Sequence, residues 1–402
     1  MKNYWFSDIK TVMYIICIGF FLLVFAFPSV SKAEDASIME DIVSTQLESG
    51  EIRNLQKKLE ESMSDEAKEL FPYYSAGQLM KELVSGNVQD SMDKLPNKVL
   101  NIFIAEVKDN FRLVLKLIVI VFLSAFIKNL QGSFKDSAVG ELAYFACYAA
   151  VVTMLALGFQ SVLGYAGEVL DAINNITGFA IPSLLALLIS SGNVVSGSTL
   201  QPILLFAIQA AVNVFRNVFL PLCLMAGILF IVSGLSEKIK ITGMASLLKQ
   251  VVTWGLKGIL VLFGSLVAIQ GVSGAIIDGA AVKTAKTAIN TFIPVAGKYM
   301  ADAADTIISC ALVVKNTAGV VTMIVTLVTC CIPIIKMFVI ILMYKFAAAI
   351  IEPFAEERFF DCITDVSDCM NVVLGVVGAS IFMFLLSIGA LLGAGGISGM
   401  MQ

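Results

Sequence analysis

A chain of 402 residues that is 58% hydrophobic but only 14% charged departs from an ordinary soluble domain, in which about 25% of residues are charged. The excess falls in long apolar blocks, so the fold class read from it is all-α, a polytopic helical integral membrane protein; a β-barrel would show short alternating strands instead. A net charge of −4 without any basic block argues against nucleic-acid binding, and the absence of histidine excludes Ser-His triads, Cys-His dyads and HExxH zinc sites together.

The chain starts with Lys2 and Lys10 before an apolar run from Val12 to Phe27, broken at Pro28, with Ser31 and Ala33 as small residues at −3 and −1. This pattern is a secretory signal peptide over residues 1–33, cleaved after Ala33; an uncleaved signal anchor is the alternative. Both put residue 34 outside the cytoplasm. Residues 34–110 then read as an acidic, helical extracytoplasmic domain, with sixteen acidic and eight basic side chains between Glu34 and Asp109. Ile52, Leu55, Leu59 and Met63 recur at three- and four-residue steps and predict an amphipathic helix. Ser64 is placed to cap the next helix, and Gly86 to end the one after it. From Pro96 no breaker occurs until Gly132, so one helix is expected to run from this domain into the bilayer. A tethered cap and a partner-binding surface both fit this domain.

Residues 111–402 form the transmembrane domain. Apolar segments at roughly 111–130, 142–163, 176–191, 200–216, 217–235, 251–277, 317–345 and 371–392 predict about seven to eight spans, because about 20 helical residues cross the ~30 Å hydrocarbon layer. The third and fourth are short and read either as two spans or as a re-entrant pair. Lys128, Lys135, Lys238, Lys240 and Lys249 place the loops 128–141 and 236–250 in the cytoplasm. One region dissents: 278–316 would face outward while carrying Lys283, Lys286, Lys298 and Lys315.

Within that region, "FIPVAGKYMADAADTIISCALVVKN" (Phe292–Asn316) places Lys298, Asp302, Asp305 and Ser309 on one helical face. Together with Lys315 and Asp278 these charges form a candidate polar lining; an interfacial amphipathic helix is the other reading. Pro182, Pro294, Gly297 and Pro333 are candidate helix breaks. Residues 171–197 and 286–316 share Ala-Ile-Asn followed by Ile-Pro and an apolar run, which suggests a broken-helix repeat. Glu352 to Asn371 is an acidic connector with Cys362, Val366 and Cys369 on one face. The eight cysteines contain no CxxC, and Gly297-Lys298 is followed by Tyr299 rather than the hydroxyl residue of a Walker A motif. No catalytic residue, cofactor or metal site is expected; the chain reads as a non-enzyme.

Several stretches together resemble one family: "FAIPSLLALLISSG", the long run from Lys257 through "KTAINTFIPVAGKYMADAADTIISCALVVKN", and "KFAAAIIEPFAEERF". They are similar to stage III sporulation protein AE. The resemblance implies a multi-pass protein of the mother-cell membrane around the forespore. It implies a subunit of a channel complex required for late forespore development, with a pore or export-gate character. The implied partners are other stage III subunits, including an ATPase and ring-forming proteins, and a forespore membrane protein met in the intermembrane space. The alternative is a stand-alone secondary transporter with its site at the 171–197 and 286–316 pair.

Overall fold

Ile52, Leu55, Leu59 and Met63 are all buried, and the chain around them forms helix α1 (Gly50–Ser62). The computed structural model describes residues 49–70, 75–85, 95–131, 137–191, 193, 198, 201–234, 241–292 and 297–393, chiefly without the side chains of 271–283 and 285–305. The signal-peptide segment and Gly86 therefore lie outside the described residues. Helix α2 (Asp65–Leu70) starts where the Ser64 hydroxyl accepts the Ala67 N–H at 3.2 Å, with Asp65 and Glu66 favourably placed in its first turn. Helix α3 (Ala76–Ser85) has a reciprocal cap: Ser75 Oγ accepts the Gln78 N–H and Gln78 Oε1 accepts the Ser75 N–H, both at 3.2 Å.

Helix α4 (Leu95–Gln131) runs unbroken, as the absence of breakers after Pro96 predicts. Then come α5 (Ser137–Ser190), α6 (Gln201–Val214), a π-helical turn (Phe215–Phe219), α7 (Leu220–Ser233), α8 (Thr242–Phe292), α9 (Gly297–Ile351) and α10 (Glu357–Gly393). No strand occurs among the described residues. Among the described residues six helical stretches are long and apolar enough to cross a membrane, so the fold is the polytopic helical one expected.

The eight predicted apolar segments map onto these six. Segments 142–163 and 176–191 both lie in α5, and 200–216 continues into 217–235 through the π turn. Pro182 and Pro333 do not break helices; they sit inside α5 and α9. A proline removes one backbone bond and crowds the carbonyl four residues before it, yet long apolar helices tolerate this where neighbours and hydroxyl side chains compensate. Both sites are packed and carry a hydroxyl bond in the adjoining turn, although not to the carbonyl that the proline leaves free, that of Gly178 or Thr329. Ile181 and Ile332 are buried, Ser183 Oγ donates to the Phe179 carbonyl at 2.9 Å, and Thr329 Oγ1 donates to the Val325 carbonyl at 2.8 Å. Gly297 is the first residue of α9, and Pro294 lies outside the described residues. The two halves of the suggested repeat thus differ: 171–190 is continuous helix through its Ile-Pro, whereas 286–316 contains the end of α8 and the start of α9.

The long helices alternate in direction. At one end, here the near end, Lys128 at the foot of α4 pairs with Glu356, and Tyr148 packs on Phe359 with ring centroids 5.2 Å apart. At the far end, Lys315 of α9 reaches the last turn of α10. Large apolar side chains stand exposed in a band: Leu113, Val119, Phe122 and Phe126 on α4; Met225 and Ile228 on α7; Leu247, Val251 and Trp254 on α8; Phe338, Leu342, Phe346 and Ile350 on α9. Charges stand at both ends of the band, with Lys128 and Glu356 on the near side and Glu106, Lys336 and Arg216 on the other, and Arg112 and Lys116 of α4 and Lys257 of α8 stand exposed within it. On α4, Glu106 and Lys128 are about 33 Å apart at 1.5 Å per residue, close to the ~30 Å of hydrocarbon. The 54 residues of α5 and 55 of α9 run about 80 Å and so continue far beyond the band. Helices α1–α3 pack on that extension, where Lys58 lies 5.9 Å from the Phe179 ring centroid.

Candidate functional site

Midway through the apolar band, three helices each contribute one charge to a common point. Asp368 of α10 takes Lys345 of α9 at 3.2 Å on one carboxylate oxygen and Lys249 of α8 at 3.6 Å on the other. Asp368 is about 18 Å along its helix from Glu356, and Lys345 about 14 Å along its own from Lys336, which sets the cluster near mid-depth. The lysine of α9 is the most enclosed, its side chain 11% exposed, against 30% for Lys249 and 37% for Asp368. Ionisable groups at this depth are costly, face the bundle interior or a watery cavity, and mark polar pathways. Here one carboxylate serves two ammonium groups, so any relative movement of α8, α9 and α10 must exchange a partner. Next to Asp368, the Cys369 thiol donates to the Cys223 carbonyl at 3.4 Å and fixes α10 against α7. Asp361 and Asp365 precede Asp368 at seven and three residues along α10 and extend the acidic face towards the near end.

Of the residues proposed as a polar lining, Lys315 is the one whose side chain is described, and it is an anchor. It is 1% exposed, and its Nζ donates to the carbonyls of Leu391 and Leu392 at 3.1 and 3.4 Å. These carbonyls lie in the last turn of α10, where intrahelical donors run out and the helix carries its partial negative charge. Lys298, Asp302 and Asp305 belong to the opening turns of α9 and Asp278 to α8, but their side chains lie outside the described residues. Between Lys315 and Lys336, Thr322, Thr326 and Thr329 are buried, each donating to the carbonyl four residues back at 2.8 Å.

At the far boundary of the band, Lys336 donates to both carboxylate oxygens of Glu66 at 2.8 Å and stands 5.6 Å from the Tyr165 ring centroid. This ties α2 to the bundle. Arg216, within the π turn, makes a two-pronged contact with Asp171 at 3.0 and 3.1 Å. Its guanidinium lies close to Gly167, where a Cβ would meet Nη1 at 2.7 Å and the arginine side chain would have to shift. The sequence reading used Lys249 only for topology and Asp368 only as part of an acidic connector; it singled out neither Lys345 nor Arg216. The available signal was four charged residues within otherwise apolar stretches. Among the described residues no group of three or more His, Cys, Asp or Glu side chains could hold a metal ion.

A family model described as stage III sporulation protein AE matches residues 74–395, which take in α3 to α10. The stage III sporulation protein AE of Bacillus subtilis (strain 168) is 31% identical over 333 residues, covering 83% of each chain. No solved structure matches.

Proposed function

The chain belongs to the stage III sporulation protein AE family, and from that premise we propose that it is a non-enzymatic, multi-span membrane subunit of the channel complex that links mother cell and forespore. It resides in the mother-cell membrane around the forespore, with α1–α3 on the extracytoplasmic side and the near-end loops in the cytoplasm. The sequence between α4 and α5 and between α7 and α8 carries Lys135, Lys238 and Lys240, which supports that orientation. The observation that carries the reading is the Lys249–Asp368–Lys345 cluster. Charges held at mid-depth by three separate helices suit a body that passes or gates polar solute, and a bundle needing only to fill lipid has no use for them. Its partners are the other stage III subunits, among them an ATPase and ring-forming proteins, and a forespore membrane protein reached across the intermembrane space. A mid-depth charge cluster also suits a stand-alone secondary transporter, and one experiment separates the two readings. An affinity-tagged chain is recovered from sporulating cells. Co-recovery of the ATPase and ring-forming subunits is expected; recovery alone, with solute uptake in proteoliposomes of the purified chain, favours the transporter.

A further inference from the structure

A crevice opens between α4, α5 and α9 in the far half of the apolar band, one helical turn inside the Glu106 and Lys336 boundary. Its volume is about 130 Å³, some four times the ~30 Å³ share of one water. A close approach forms its floor. Gly158 lies under Tyr344, where any Cβ would overlap the phenol oxygen, and the Tyr344 hydroxyl donates to the Met154 carbonyl at 2.9 Å. The remaining floor is apolar, from Leu117 and Met343.

The polar residues at its boundary end have already used their donors. The Asn110 amide donates to the Glu106 carbonyl at 2.9 Å, and Ser161 Oγ donates to the Leu157 carbonyl at 3.1 Å. A water inside would find few partners, whereas hydrocarbon needs none. The mouth is flanked by Leu113 and Leu157, 52% and 61% exposed, which belong to the same band that meets lipid. We propose that this crevice is a binding site for one acyl chain of a bilayer phospholipid, taken from the leaflet on the α1–α3 side. The chain lies in the cleft between α4 and α5 with its methylenes against the Gly158–Tyr344 floor, and its headgroup stays at the level of the charged boundary.

The full chain is placed in nanodiscs of phosphatidylglycerol and phosphatidylethanolamine containing a trace of phosphatidylglycerol with a diazirine midway along one chain. After illumination, adducts are mapped by peptide mass spectrometry. Adducts on 154–161 and 340–344 are expected to exceed those on the lipid-facing control sites Leu224 and Trp254 several-fold. Ser161→Trp and Leu113→Trp, which fill the mouth from two sides, should each lower the crevice adducts several-fold and leave the controls unchanged. Adducts spread evenly over the band of the wild-type chain overturn the proposal. So do undiminished crevice adducts in both tryptophan variants once their thermal unfolding is shown to match the wild type.

Discussion

Asp368 holds two lysines from two helices, so that one substitution there touches three helices at once. Asp368→Asn removes the carboxylate that the Lys249 and Lys345 ammonium groups share. The expected loss is on the order of 1–2 kcal/mol of stability, the lower part of the range because the carboxylate is partly exposed. Lys345→Met alone should also weaken the protein. The double variant should be less harmed than the two single losses together, as coupled partners require; unfolding in detergent measures all three. Lys315 acts differently. Its ammonium meets carbonyls at the negative end of α10, so Lys315→Glu places like against like in a dry site and should prevent accumulation of folded protein. Lys315→Arg keeps the charge and should retain more. Western blotting of membranes from cells carrying each variant distinguishes them, and equal levels of the two would refute the anchoring role.

The helices of the N-terminal domain were readable at the level of single positions. The spacing of Ile52, Leu55, Leu59 and Met63 gave the buried face of α1, and Ser64 is the cap it promised to be. These are local signals, and local physics settles them. The prolines were not readable in this way. Pro182 and Pro333 look like breaks in one dimension, but α5 and α9 continue through them where Ile181 and Ile332 are packed on neighbouring helices. The π turn at Phe215–Phe219 likewise hides in an apolar run, since one extra residue per turn leaves no compositional mark. Docking of α1–α3 on α5 and α9 is a tertiary fact that rests on Glu66 and Lys336, 270 residues apart. Glu66→Lys should loosen it by about 0.5–1 kcal/mol, the scale of an ion pair with one exposed partner. Hydrogen exchange in α1–α3 should rise, and the charge swap Glu66→Lys with Lys336→Glu should return it towards the wild-type rate. Unchanged exchange in the single variant would show that apolar contacts alone hold these helices.

Over the whole molecule, membrane character and family were legible from composition and from the long stretches of similarity, while the geometry of the bundle was not. Counting apolar segments assumes that each crosses the bilayer once. Helices of about 80 Å defeat that assumption, because their far halves are partly buried against neighbouring helices: Leu188, Val314 and Val321 are enclosed there, while Ile189 and Ile307 stand exposed. The Lys249–Asp368–Lys345 cluster escaped for a related reason, since its members are 23 or more residues apart in sequence and meet only in the packed bundle. The central claim is therefore one of placement: lipid surrounds the near half of the bundle, and the far half projects from it on the side of α1–α3. Cysteine accessibility tests this directly. In a chain with its eight native cysteines replaced, single cysteines are introduced at Phe206, 74% exposed in the far half, and at Phe346, 51% exposed in the band. The variants are expressed in vegetative cells, where the α1–α3 side faces the medium, and the intact cells are treated with a membrane-impermeant maleimide. Labelling at Phe206→Cys with protection at Phe346→Cys is the predicted result; protection at both positions, or labelling of Phe206→Cys only after permeabilisation, would contradict it.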